Sequence, residues 1–379
     1  MADAKPFHWE FTPEVPPPEA FRIEGGKPLR GTVHVSGAKN AALKLLAAAT
    51  LTGERCRFEN VPEIEDVRVM CEVLGDLGVV VEHPEPGVYE VAAGDVDWLF
   101  VPLETAAKMR ASFMLLGPLL SRFGRVIISN PGGDRIGRRP VNLHVDAMRA
   151  MGAEIAYRDG YYFAQAPGRL HGGEVTFPQV TVMGTENAML AATLADGHTV
   201  IRPAAQEPEV DDLIDFLHKM GADVKRTSPD TIEVHGKRRL RGASHTVVPD
   251  RIETAPYPGL ATDLQPPACV LLTQANGTSR VHEAIFEDRL EWLAELGKLG
   301  ARVEIQDAHH AAILGPATLR GGEADISDLR AGASLILGAL AAEGTSLIHG
   351  AHHVQRGYEN IDRKFQQLGA SITRSADSA

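Results

Sequence analysis

Five stretches of the chain are apolar on nearly every side of the helix they would form, and each runs into a glycine. They read "AALKLLAAATLTG", "ASFMLLGPLLSRFG", "ENAMLAATLADG", "PPACVLLTQANG" and "GASLILGALAAEG". Their closing glycines, Gly53, Gly124, Gly197, Gly277 and Gly344, are 71, 73, 80 and 67 residues apart. A helix without a polar side is a buried one. A second element recurs in step with the first: "DVRVMCEVLGDLGVVVE", "VNLHVDAMRAMGAEIA", "VDDLIDFLHKMGADVK", "RLEWLAELGKLGARVE" and "NIDRKFQQLGASIT". In the first of these Val67, Met70, Cys71 and Leu74 keep the i, i+3, i+4, i+7 spacing of a one-sided helix, and in the third Val210, Leu213, Ile214 and Leu217 do the same. Gly78, Gly152, Gly221, Gly300 and Gly369 then fit helix ends, where glycine takes a left-handed backbone at little cost.

The predicted unit is strand, loop, buried helix, glycine turn, strand, amphipathic helix, Leu-Gly turn and strands. It spans about 70 residues and appears five times, which is the mark of internal duplication. The expected class is α/β, with helices at the core and sheets around them.

Composition narrows the function. The chain has 379 residues and 44% hydrophobic content, enough for two domains with sizeable cores. Its 38 basic and 50 acidic residues leave a net charge of −12, which disfavours general nucleic-acid binding and makes any anion site a local one. Three separated cysteines without a CxxC pair fit a reducing compartment. No apolar stretch reaches the roughly 18 residues of a membrane span, and the start of the chain lacks the pattern of a signal peptide. The expectation is a soluble, cytoplasmic protein. Residues 1–19, rich in Pro and Glu, read as a loosely held tail.

The polar loops around the buried helices carry the chemistry. In chain order they are "VHVSGAKNAALKLL", "AAKMRASFMLLGPL", "NPGGDRIGRRPVNLH", "VTVMGTENAML", "VVPDRIETAPYPGLATDLQ", "AIFEDRLEWL", "ISDLRAGASLIL" and "HHVQRGYENID". Taken together, from about Phe21 to Thr373, these segments resemble the UDP-N-acetylglucosamine 1-carboxyvinyltransferase family of enolpyruvyl transferases. The shikimate-pathway enolpyruvyl transferase is a weaker match, since it lacks the "SGAKNAA" and "GRRPVNLH" patterns.

The resemblance implies a two-domain inside-out α/β barrel with the active site in the cleft between domains. It places the first domain at 38–249 and the second at 20–37 plus 250–379. It also implies transfer of the enolpyruvyl group of phosphoenolpyruvate to the 3′-hydroxyl of UDP-N-acetylglucosamine with release of phosphate, the step that opens peptidoglycan precursor synthesis. No cofactor and no metal ion is implied, because phosphoenolpyruvate is already activated.

By the same resemblance, Lys39 and Asn40 contact both substrates. Arg139 and Arg356 match arginines that hold phosphoenolpyruvate, while Arg110, Arg289 and Arg330 match further cleft arginines. Asp263 of "LATDLQ" matches the base at the reacting hydroxyl, with Asp328 of "SDLRA" as a second acid beside it, although an Asp at a helix start also serves as an N-cap. Pro140, Asn142, Leu143 and His144 match the segment around the uracil ring, and Thr181 and Ile285 match further substrate contacts. The loop at 130–140 resembles a mobile lid, with Asp134 standing as an acid where most of the family carries cysteine.

One departure is large. The family has six units, whereas five are present here. Thr254 of "DRIET" runs directly into Ala255 of "APYPGLATD", motifs that the family keeps one unit apart, so about sixty residues are missing at an in-phase join. This leaves two full units in the second domain, with apolar surface expected on the helices that lose a neighbour. It also leaves open a rival class, a non-catalytic relative that binds UDP-N-acetylglucosamine to regulate or scaffold.

Overall fold

The computed structural model describes residues 19–96, 98–132, 141–247, 262–283 and 286–376. Residues 1–18 of the expected tail, the segment from Gly133 to Pro140 with Asp134 and Arg139, Ile285, and Thr254 with Ala255 lie outside the described residues, while Glu19 already belongs to the first strand.

The chain enters as strand β1 (Glu19–Glu24). The first unit follows with helix α1 (Lys39–Ala48), β2 (Cys56–Glu59), α2 (Glu65–Asp76), β3 (Val80–Glu85) and β4 (Val88–Ala92). The second has β5 (Phe100–Val101), α3 (Leu103–Ala106), α4 (Leu116–Phe123), β6 (Arg125–Ser129), α5 (Asn142–Ala150), β7 (Glu154–Arg158) and β8 (Tyr161–Gln165). The third has β9 (Glu174–Thr176), α6 (Val182–Ala192), β10 (His198–Arg202), α7 (Pro208–Lys219), β11 (Asp223–Ser228) and β12 (Thr231–His235), and β13 (Ser244–Thr246) comes next. The fourth contains α8 (Gln265–Leu272), β14 (Gly277–His282), α9 (Leu293–Lys298), β15 (Arg302–Ile305) and β16 (His310–Gly315). The fifth contains β17 (Glu323–Asp325), α10 (Leu329–Ala341), β18 (Thr345–His349), α11 (Ala351–Gln355), α12 (Ile361–Gln367) and β19 (Ser371–Ala376).

The described residues form five sheets, and four of them share one plan. A short strand runs parallel to a longer one, and two antiparallel strands follow: β13-β2-β4-β3, β5-β6-β8-β7, β9-β10-β12-β11 and β17-β18-β1-β19. The N-terminal strand β1 thus completes the last sheet, pairing Phe21 with Ile348 on one side and with Arg374 on the other. The remaining sheet has three strands among the described residues, β14-β16-β15, and lacks the short parallel one.

The predicted helix ends are met. Gly78, Gly152, Gly221, Gly300 and Gly369 all have positive φ, between 85° and 93°. Helix α7 buries Val210, Leu213, Ile214 and Leu217, the stripe its spacing predicts, and each such side chain contributes about 1.5–3 kcal/mol relative to exposure. The inner helices are buried nearly all round: α1 from Ala41 to Ala48, α6 from Gly184 to Ala192, and most of α10. Buried apolar side chains gather in two clusters, one from Ala38 to Val247 and one that joins Phe21 and Ile23 to residues from Cys269 to Ile372.

Helix α8 departs from the all-round burial predicted for it. It buries Gln265, Pro266, Cys269 and Val270, but Leu271 is 73% exposed. Its unit follows the join at which the sequence reading expects the missing repeat. The exposure falls on α8 and not on α10. Among the described residues no helix is long and apolar enough to cross a membrane.

Candidate active site

Helix α1 begins at Lys39, so the first side chain of a buried helix is a cation at its mouth. Lys39 Nζ donates to Asp66 Oδ2 at 2.8 Å, from the first turn of α2. The other oxygen of Asp66 accepts from Arg356 Nε at 3.1 Å, from the end of α11. Gly357 makes this approach possible. A Cβ there would stand 2.8 Å from Leu329 Cδ2 and 3.3 Å from Lys39 Cδ. Lys39 is pushed below the usual lysine range, first by burial and then by Arg330 and Arg356, with Asp66 opposing. Lys39, Arg330 and Arg356 are therefore close enough to feel one another's charge.

A second carboxylate receives two more arginines. Asp263, in the short turn before α8, accepts from Arg289 at 2.8 Å on one oxygen and from Arg330 at 2.6 Å on the other. Burial pushes the Asp263 carboxyl up, but the two guanidiniums outweigh it and hold it below the usual carboxylate range. Arg330 lies in the first turn of α10, whose N-cap is Asp328; the Asp328 carboxylate accepts from the backbone of Arg330 at 2.8 Å and of Ala331 at 3.2 Å. Lys39 and Arg356 thus meet on Asp66, and Arg289 and Arg330 on Asp263, a gathering of cationic side chains of the kind that grips phosphate and carboxylate groups.

The remaining predicted residues lie around two neighbouring helices. At the start of α5, Asn142 is exposed, Leu143 half-buried and His144 buried. His144 Nδ1 lies 3.0 Å from Asn187 Nδ2, and the ring stands edge-on to Phe113. Burial, helped by the charge of Arg110, pushes His144 down to about 3, so its imidazole is neutral. Thr181 is the N-cap of α6 and accepts from the backbone of Gly184 at 3.3 Å. Asn40 donates to Glu209 on α7 at 3.4 Å.

Three features escaped the sequence reading. Asp66, the hinge of the first cluster, sits in an ordinary amphipathic helix. Asn187 braces His144 and also accepts from the backbone of Gly117 at 2.7 Å. The buried ion pair of Lys44 with Glu186, at 3.2 Å, lies one turn below Asn40. For the last two the signal was present: Lys44, Glu186 and Asn187 are polar residues inside otherwise apolar helices.

Known proteins with this pattern agree in kind. A sequence profile described as EPSP synthase (3-phosphoshikimate 1-carboxyvinyltransferase) matches residues 23–257 and 251–365. The UDP-N-acetylglucosamine 1-carboxyvinyltransferase of Acidiphilium cryptum is 39% identical over 95% of this chain and 100% of its own length. That of Beijerinckia indica is 38% identical over 95% and 100%. The chain belongs to the UDP-N-acetylglucosamine 1-carboxyvinyltransferase family. Among solved structures, the enolpyruvyl transferase NikO of Streptomyces tendae superposes with a TM-score of 0.83 over 95% of this chain and 99% of its own, at 24% identity. An EPSP synthase of Acinetobacter baumannii gives 0.72 over 94% and 100%, at 17% identity. Both share the enolpyruvyl transferase fold.

For a UDP-N-acetylglucosamine 1-carboxyvinyltransferase the chain is short. The alignment with the Acidiphilium protein covers 420 positions, whereas 95% of 379 residues is about 360, so about 60 positions have no counterpart here. The two profile matches overlap at 251–257, around the join of Thr254 and Ala255.

Proposed function

We propose that this chain transfers the enolpyruvyl group of phosphoenolpyruvate to the 3′-hydroxyl of UDP-N-acetylglucosamine and releases inorganic phosphate. The observation that carries the reading is the convergence of Lys39, Arg289, Arg330 and Arg356 on two carboxylates, at positions drawn from both ends of the chain. In this reading residues 38–249 form one domain, residues 20–37 with 250–379 form the other, and the reaction takes place between them in the cytoplasm.

The chemistry needs a hydroxyl made nucleophilic, a proton delivered to the methylene carbon, and a cradle for phosphate and carboxylate. The sugar oxygen bonds to the central carbon of phosphoenolpyruvate while its own proton leaves to Asp263 and the methylene carbon gains a proton from an acid, for which Asp134 is assigned. Loss of phosphate with a proton from the new methyl group restores the double bond. Asp263 is a weak base while Arg289 and Arg330 grip it. An incoming phosphate competes for those guanidiniums, and as they turn to the substrate Asp263 regains proton affinity where the hydroxyl arrives. Asp328 acts by capping α10 and so fixing Arg330. Arg356 and Arg139 grip the carboxylate and phosphate, and Lys39 supplies a compact phosphate contact next to Asn40.

Arg110, Pro140, Asn142, Leu143 and the neutral His144 are assigned to the nucleotide end, with Thr181 and Ile285 as neighbouring contacts. A binding relative without catalysis finds no support among the curated relatives, which are named for the transferase activity. The test is phosphate release by the purified chain with both substrates, each omitted in turn, and with Asp263→Ala. Release that needs both substrates and is lost in the variant upholds the transferase; no release from folded wild type overturns it.

A further inference from the structure

The outer face of the β9-β10-β12-β11 sheet carries a group of side chains that the transferase reaction does not use. His198 opens β10, and Glu233 and His235 lie two apart on β12. The strand register sets His198 directly opposite His235, and Val200 opposite Glu233. Residues facing across a pair share a side of the sheet, as do residues two apart on one strand. All three therefore project to solvent, while Thr199, Ile201, Ile232 and Val234 are buried on the inner side. The imidazoles of His198 and His235 stack at 4.4 Å with 18° between planes. His198 Nε2 lies 3.1 Å from Glu233 Oε2, and one ligand atom from each of the three residues falls within 4.8 Å of the others.

We propose that His198, Glu233 and His235 form a binding site for a divalent transition-metal ion of the zinc and nickel class. Two imidazoles and one carboxylate are the donors that such ions favour, whereas calcium and magnesium prefer oxygen alone. In a tetrahedral zinc site the ligand atoms stand about 3.3 Å apart. The three atoms here close to that spacing by side-chain rotation, with the two strands held in register beneath them. The open side of the sheet leaves the fourth position to water. Charges of both signs flank the ligands on β11: Lys225 stands opposite Glu233, while Asp223 stands opposite His235 and engages Lys237 Nζ at 3.2 Å. A bound ion clasps β10 to β12 just after the turn that closes α6, so it stabilises the third unit without entering the cleft.

The molecule supplies its own comparison. His282 and His310 also stack across strands β14 and β16, at 4.5 Å and 8°. Their nearby acid, Asp307, is taken up by the backbone and ring of His310 and by the backbone of His309. Among the described residues that pair has no carboxylate converging with both imidazoles, and it is expected to bind poorly.

The experiment is calorimetric titration of zinc and nickel chlorides into the full chain, metal-stripped and without a polyhistidine tag. The expected result is one equivalent bound with a dissociation constant on the order of 10 µM or tighter. The His198→Gln, His235→Gln double variant loses at least about tenfold in affinity, His282→Gln leaves the binding unchanged, and zinc raises the melting temperature of wild type but not of the double variant. The substituted side chains are on the solvent face, so the variants keep the fold and the phosphate-release activity. Undiminished binding in the double variant, loss of it in His282→Gln, or no binding at 100-fold higher metal would overturn the proposal.

Discussion

The carboxylate of Asp66 meets the guanidinium of Arg356 at 3.1 Å, although 290 residues separate them in the chain. Asp66 also holds Lys39, so one buried acid sets the positions of two cations from opposite ends of the sequence. Removing its charge leaves both in a site that water barely reaches. Asp66→Asn is expected to cost about 3 kcal/mol of stability, read from the midpoint of urea unfolding. An unchanged midpoint would show that the two cations are held by other contacts.

The grip on Asp263 makes a kinetic prediction. Arg330 and Arg289 keep this carboxyl below the usual carboxylate range against the effect of burial. Arg330→Met removes one of the two, and the acid limb of the pH profile of kcat/KM is expected to move to higher pH. A limb that stays in place would mean that Asp263 is not the group reporting there.

Two buried groups give opposite pH signatures to stability. His144 is held down to about 3, chiefly by burial, against about 6.5 in the unfolded chain. Between those values the unfolded state binds the extra proton, so stability is lost as pH falls from about 6.5 toward 3. Glu186 is pushed up to about 7 by burial, with Lys44 opposing and Glu209 reinforcing the rise. The folded state now keeps the proton longer, and stability is lost as pH rises from 4.5 toward 7. Glu186→Gln is expected to remove the second slope and leave the first. Urea midpoints of both proteins at a series of pH values check this, and parallel curves would refute it.

Fosfomycin tests the residue at position 134. Inactivation of the family by this epoxide requires a cysteine sulfur, and position 134 carries Asp. The chain is expected to keep full activity after prolonged incubation with the drug, whereas Asp134→Cys becomes sensitive with time. Irreversible loss in the wild type is the contrary result.

The legibility of the site in the sequence follows the kind of residue. Lys39, Asp263, Arg330 and Arg356 stand at or beside helix ends and Arg289 in a turn, where a charged residue next to an apolar run is conspicuous, and they meet in two ion-pair clusters. Asp66 was not legible, because an acid in the first turn of an amphipathic helix already suits the helix dipole and needs no partner. Asp328 illustrates the reverse, since it makes the N-cap bond that its position suggests. The buried helices were readable from their composition up to α8, where composition predicts burial on every side and Leu271 is open. An apolar helix specifies that it wants neighbours; only the rest of the chain decides how many it has.

The three-stranded sheet at β14-β16-β15 has a consequence for the history of such chains. Apart from β13, which joins the sheet of the first unit, and β1, which joins that of the fifth, strands among the described residues pair within their own unit, so a deletion that starts and stops at the same point of two units removes most hydrogen-bonded structure whole and cuts few ladders. A deletion of equal size at any other phase would sever a hairpin or a parallel pair and strand its amides. Indels of about one period are therefore the ones that natural selection is offered in folded form, and the fold is free to change size in steps of a unit while its catalytic loops stay in order.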